Sequence, residues 1–420
     1  MARIVIACWG SHGDFDPSLG LALALQRRGH AVTVATIPYF AAHAASAGIA
    51  FHAIRPHVDP SDPALMARIM DRHRGSQVII GELIDPALAA MHEDLAPLAR
   101  TADLLISHPL TMVVPMLAEQ FGIPWASTAL APLSFFSAHD FPVLPPVPWL
   151  KRLDALGPWT GRAIVRMGKV VSAPWVRGER ALRRRLGLRT DAHPLFEGQH
   201  SPHLVLALFS RVLAAPQPDW PSRTEVTGHV FHNDHHGTSL APELEAFLDA
   251  GDPPVVFTLG SSAVLSPGHF WRESLAAVRA LGVRAVCLVG PGNAAAMQGQ
   301  LPPGVLALDW APHALLMPRA AAVVHQCGVG TLARGLWSGT PLLAVPFSHD
   351  QFDNAHRAAR IGAARMLPPT RYRAPRVVEG LDALLRDPAY RAAAGGAAAI
   401  IREERGAEAA SDVIERTFGL

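Results

Sequence analysis

Three side chains able to hold or move a proton, His12, Asp14 and Asp16, fall within five residues of this 420-residue chain, in the stretch GSHGDFDPSLG at 10–20. An imidazole or a carboxylate can take the proton of an attacking hydroxyl, so the stretch could supply a general base. Asp14-Phe15-Asp16 is also a literal D-x-D, a spacing associated with metal-bound nucleotide sugars. The surroundings speak against the metal. Residues 4–9 are an apolar run that reads as a strand, and Asp16-Pro17 reads as the N-cap and first residue of the helix behind it. That commits Asp16 to the turn. His12 stays open between binding phosphate or acceptor and facing solvent.

A second constellation lies at 320–355, AAAVVHQCGVGTLARGLWSGTPLLAVPFSHDQFDNA. A strand ends at His325, a loop with Gly328 and Gly330 follows, and Thr331 opens a helix. Glycines let backbone N–H groups approach a diphosphate, and the positive end of a helix favours its charge. His325 and Thr331 can add hydrogen bonds. A further strand delivers His349-Asp350-Gln351 to the same edge, where a carboxylate beside a carboxamide can bind several sugar hydroxyls. A rival reading fits the spacing too. Residues 328–333 match G-x-G-x-x-A and Asp350 follows Gly330 by 20 residues, as in a dinucleotide site, which admits an NAD-dependent oxidoreductase.

Strands must end beside these groups to position them. In the first half, strands are predicted at 3–8, 31–36, 50–54, 103–107 and 124–128, alternating with helical stretches at 17–28, 38–47, 77–100 and 111–121. In the second, strands at 254–259, 284–289, 305–309, 321–325 and 342–345 alternate with helices at 267–281, 329–338 and 351–361. This rhythm builds parallel sheets with crossover helices. The predicted fold class is α/β, with two facing Rossmann-like domains whose carboxyl-end loops point into an interdomain cleft. The expected boundaries are 1–213, a polar linker at 214–237 containing His232, His235 and His236, then 238–402, and a helix at 403–420 packing back on the first domain. Residues 141–149 read as a proline-rich loop, and the basic run 177–189 as a solvated helix face.

Composition narrows the function. Half the residues are apolar and 17% are charged, a globular balance too long for one core. A net charge of +2 gives no reason to expect nucleic acid. Cys8, Cys287 and Cys327 lie far apart with no C-x-x-C, which suits a reducing cytoplasm. The N-terminal apolar run, about seven residues, is short for a signal peptide. Pro109, Pro115, Pro124 and Pro132 break the stretch 104–138, so no membrane span is expected, with peripheral membrane contact left open. The expected state is a monomer or weak dimer.

Together the motifs resemble the donor-binding signature of the large inverting UDP-glycosyltransferase family, of the two-Rossmann-domain GT-B kind. The matching pieces are residues 325–331, Gly339-Thr340-Pro341, Pro346, Asp350-Gln351 and Asn354-Ala355. Upstream, Trp310-Ala311-Pro312-His313 is similar to the family's W-x-P-Q/H element and Leu259-Gly260-Ser261-Ser262 to its L-G-S loop, while residues 10–17 look like its N-terminal entry turn. The bacterial natural-product branch, including macrolide and rhamnosyl transferases, is the most similar. The resemblance implies that Trp310 stacks on uracil or thymine, that Ser261, Ser262, His325, Gly328, Gly330 and Thr331 hold the diphosphate, and that Asp350 and Gln351 hold the sugar. Gly13 and His313 belong with the donor site. Gln326, where many relatives have a second histidine, and Cys327, at a frequent glycine, depart from the pattern.

The family's base position, three residues before the proline, is Asp14 here, with His12 beside it. The implied reaction is inverting transfer of a hexose from a UDP- or dTDP-sugar to a hydroxyl, with no cofactor and no metal. The apolar, aromatic first-half loops, with Met112, Phe135, Phe136 and Phe141, favour a hydrophobic acceptor: a phenolic, macrolide, terpenoid or hydroxy-lipid. A non-catalytic accessory protein of the same fold is the remaining alternative.

Overall fold

The computed structural model describes residues 1–232 and 239–420. The chain forms two compact units: Met1–Asp62 with His73–His232 and Glu404–Leu420, and Pro63–Arg72 with Asn233–Glu403.

The first unit is built on a seven-stranded parallel sheet of β1 (Arg3–Ala7), β2 (Ala31–Thr36), β3 (Ala50–Ala53), β4 (Leu104–Ser107), β5 (Trp125–Ala129), β6 (Val205–Ala207) and β7 (Thr224–Val226). Its order is β3-β2-β1-β4-β5-β6-β7. Apart from exposed Arg3 at the start of β1, the central strands β1, β4 and β5 are buried, as parallel strands covered on both faces must be. The order reverses between β1 and β4, and a crevice for ligands opens at such a reversal.

Helix α1 (His12–Arg27) begins earlier than the Asp16-Pro17 pair suggested. Ser11 is the N-cap, and Ser11 and Asp14 form a reciprocal capping box. Asp16 is therefore not the cap, and Pro17 lies inside the helix. The serine three residues ahead of a carboxylate outcompetes the Asp-Pro pair because it satisfies two backbone donors at once. At the other end of α1, Arg28 pairs with Asp412 and Glu415, both at 2.6 Å, on the last helix, Gly406–Phe418. His30 Nε2 lies 3.0 Å from Glu415.

Part of the stretch expected as linker belongs to this unit. Trp220 stacks on Phe135 with ring centroids 4.3 Å apart, and β7 pairs with β6. Three-residue strands pair through their backbones, so a Pro- and Asp-rich composition does not forbid them. His232 is half-buried, and His235 and His236 lie outside the described residues.

The second unit holds a six-stranded parallel sheet of β8 (Val255–Thr258), β9 (Ala285–Leu288), β10 (Val305–Leu308), β11 (Ala322–His325), β12 (Leu342–Ala344) and β13 (Ala364–Met366). Its order, β10-β9-β8-β11-β12-β13, reverses between β8 and β11. Phe270 stacks on Tyr372 in the core, and the Tyr372 hydroxyl meets Ser274 Oγ at 2.7 Å. A short excursion from the first half, with the helix Pro63–Ile69, completes this unit. Met70 enters its core, Ser348 Oγ donates to the Asp71 carbonyl at 3.2 Å, and Arg72 covers the Phe352 ring at 5.0 Å.

Candidate active site

At the switch point of the first unit the turn after β1 meets the turn after β4. Gly10 has φ +143°, and a Cβ there would collide with the Asp14 carboxylate, so only glycine lets the chain fold over it. Asp14 Oδ2 accepts from the Ser11 backbone N–H at 2.7 Å and from Ser11 Oγ at 3.2 Å. Asp14 Oδ1 lies 3.1 Å from His108 Nε2. The Leu110 N–H donates to His108 Nδ1 at 3.3 Å, which places the imidazole proton of the neutral ring on Nε2, aimed at Asp14. The His108 N–H donates to Ala7 O and Thr111 Oγ1, both at 3.0 Å, fixing the residue to the end of β1. His108 is buried, whereas the Asp14 side chain keeps 28% of its surface exposed.

A carboxylate has about four lone-pair sites, and three here are engaged, which leaves one on Oδ1 for a substrate hydroxyl. His12 turns to another partner: its Nδ1 lies 3.4 Å from Asp16 Oδ1, and its ring meets Phe40 and His43 edge-on. Gly13 donates its N–H to Ser11 Oγ within the cap.

The second unit repeats the arrangement. Gly260, after β8, has φ +62°, and a Cβ on it would strike the Gln326 amide in the turn after β11. These turns therefore touch at the switch point. His325 is fully buried, and its Nδ1 accepts from the Cys327 N–H at 3.1 Å. Burial first, and then nearby His313, push the His325 pKa down to about 3, so the ring is neutral and shapes the loop. Burial and Arg334 likewise hold His313 at about 4. Cys327 takes a left-handed φ of +65°, the strained turn a glycine would make without cost.

Beyond that turn the helix Val329–Ser338 starts at Gly328 with no side-chain cap, and a Cβ on Gly330 would meet only open space. An uncapped helix start beside accessible glycine backbone is an anion-binding arrangement. Thr331 is buried just inside it. Asp350 Oδ2 accepts from Asn354 Nδ2 at 2.7 Å, and the same amide reaches Cys327 O at 3.0 Å, tying the β12 loop to the β11 loop. Gln351 Oε1 accepts from the Phe347 and Ser348 N–H groups at 2.8 and 3.2 Å, so its carbonyl holds the turn. Trp310 is 45% exposed, and Ser261 and Ser262 follow Gly260 at the surface. Among the described residues no group of His, Cys, Asp and Glu is arranged to hold a metal ion.

Residues 4–134 match the glycosyltransferase family 28 N-terminal domain, and residues 273–416 the erythromycin biosynthesis protein CIII-like C-terminal domain. The O-mycaminosyltylonolide 6-deoxyallosyltransferase of Streptomyces fradiae is 31% identical over 428 residues, spanning 98% of this chain and 97% of that protein. The chain belongs to the bacterial natural-product UDP-glycosyltransferase family. This glycosyltransferase is also similar to the oleandomycin glycosyltransferase of Streptomyces antibioticus, 28% identical over 99% of this chain and 90% of the other. Among solved structures, the glycosyltransferase of kitacinnamycin superposes with a TM-score of 0.73 at 24% identity, over 99% of this chain and 98% of that one. The fold is GT-B. The family sets aside the dinucleotide-dependent oxidoreductase, whose spacing the 328–333 loop happens to share.

The four expected acceptor residues fall in three different surroundings. Phe141 is buried with Leu150 and Ile164 in a small core of its own, and Met112 is buried behind Thr111. Phe135 and Phe136 line a cavity of about 550 Å³ with Phe196 and His200. His108 was missed in the sequence. It follows β4 with no motif around it, and its only signal is its position at the end of a strand beside β1.

Proposed function

We propose that this glycosyltransferase moves a hexose from a dTDP- or UDP-sugar to a hydroxyl of a hydrophobic small molecule, with inversion, in the cytoplasm. The observation that carries the reading is the Asp14–His108 pair at the switch point of the first sheet. Asp14 is the base. Its remaining lone pair on Oδ1 takes the acceptor proton as the hydroxyl oxygen attacks the anomeric carbon and the bond to the diphosphate breaks. His108 is a positioning residue: with Ser11 it holds both carboxylate oxygens, so the plane of the base is set before the acceptor arrives.

The leaving diphosphate gathers negative charge, which the open N-terminus of Val329–Ser338 and the Gly328–Gly330 backbone are suited to receive. In this reading Asp350 and the Gln351 amide nitrogen bind sugar hydroxyls, and Trp310 stacks on the base. The reaction requires no metal in this scheme. Full-length similarity to the O-mycaminosyltylonolide and oleandomycin glycosyltransferases supports the macrolide among these acceptors, and a similarly folded spinosyn rhamnosyltransferase complexed with thymidine diphosphate supports a dTDP-sugar.

A matrix of dTDP- and UDP-hexoses against macrolide, phenolic, terpenoid and hydroxy-lipid acceptors, read by mass spectrometry, tests the assignment. One hexose-sized mass gain on a hydrophobic acceptor is expected, with the opposite anomeric configuration in the product. Retention of configuration, or no product with any pair, would overturn it.

A further inference from the structure

Residues 149–189 carry eleven Lys and Arg against two carboxylates, Asp154 and Glu179, a net of +9 in a chain whose total is +2. The same segment turns apolar side chains to water. Trp159, Met167, Val170 and Val171 on the helix Pro158–Ser172, and Trp149 and Leu156 just before it, are each 56–74% exposed. Trp159, Ala163 and Met167 recur every four residues, so they form one outward stripe. Helices of globular domains bury such stripes, and an exposed one of this size marks a contact surface.

Arg162, Arg166 and Lys169 run alongside the stripe and, with Arg223, line the cavity of about 550 Å³. The two carboxylates of that cavity are already engaged. Glu197 pairs with Lys169 at 2.7 Å, and Asp219 accepts from Ser137 Oγ and the Ala138 N–H, both at 2.6 Å. Among the described residues no carboxylate lies within ion-pair distance of Arg162, Arg166 or Arg223.

We infer that this face docks on an anionic membrane surface. Trp and aliphatic side chains beside a cationic row are the composition of a helix that lies in the interface plane, with tryptophans at head-group depth and arginines on lipid phosphates. A nucleic acid would use the cations but leave the apolar stripe in water. A second copy of the chain would set Arg162, Arg166 and Arg223 against the same cations. The surface stands on side chains outside the Asp14 and Gly328 turns, so the inference is independent of the proposed reaction.

Cosedimentation of the full chain with vesicles of phosphatidylglycerol and phosphatidylcholine, against phosphatidylcholine alone, tests it. Recovery with the anionic vesicles only is expected, weakening as salt rises from about 0.1 M to about 1 M. Arg162→Gln with Arg166→Gln should lower the partition about 30-fold. Trp159→Ser with Met167→Ser should lower it as well, with the unfolding midpoint of each double variant unchanged. Equal recovery on neutral vesicles, no recovery on either, or indifference to both pairs of substitutions would overturn it. A concentration-dependent dimer dissolved by Trp159→Ser would also overturn it, by giving the face to a second copy.

Discussion

Asp14 does two jobs through its two oxygens. Oδ2 closes the capping box of α1, and Oδ1 faces His108. Replacing His108 separates positioning from chemistry. His108→Gln keeps an N–H able to reach Oδ1 and should lose about 10-fold in kcat, while His108→Leu should lose about 100-fold with KM for the donor little changed. A kcat–pH profile belongs in the same experiment, because a merely structural role would leave its shape alone. Equal loss of kcat and donor affinity would deny the positioning role. Asp14 enters the proposal as the base because its distance from Pro17 matches the family's entry turn. Its capping role was not legible, since Asp16-Pro17 offers the more familiar helix start. His108 needed coordinates: a lone histidine in SHPL says nothing until β4 is seen beside β1.

At the scale of elements, each unit brings a pair of turns together where the strand order of its sheet reverses. In the second unit this closeness depends on Gly260, where positive φ and contact with the Gln326 amide both exclude a side chain. Gly260→Ala should cost roughly 1–3 kcal/mol of stability by chemical denaturation and weaken donor binding by pushing the β8 and β11 turns apart. An unchanged denaturation midpoint would mean the turns are not held as described.

Most strands and the helices Val329–Ser338 and Gln351–Ile361 were readable from apolar runs ending in glycine or polar turns. Strand β6 sits in the apolar run 204–209 and was not predicted all the same, whereas β7 and β13 have three residues each and no such run around them. The excursion Pro63–Arg72 was unreadable for a different reason. Sequence order keeps it with the first half, and only the packing of Met70, Asp71 and Arg72 assigns it to the second unit.

Across the molecule, burial keeps three histidines neutral. His200 and His313 are pushed down to about 4 and His325 to about 3, against 6.5 for each when exposed. With the folded pKa below the unfolded one, the unfolded chain binds the extra protons between these values. Stability from these groups is therefore fully present above pH 6.5 and is lost as pH falls toward 4. The thermal midpoint should drop across that interval, and His200→Asn should reduce the slope. A flat midpoint from 6.5 to 4.5 would contradict neutral burial.

The central claim is that Asp14 takes the acceptor's proton while the second unit holds the donor independently. Its most direct test is Asp14→Asn, assayed for single-turnover transfer and, by calorimetry, for nucleoside diphosphate binding. The account predicts transfer reduced about 10²- to 10⁴-fold with the nucleotide Kd unchanged. Transfer at the wild-type rate would contradict it.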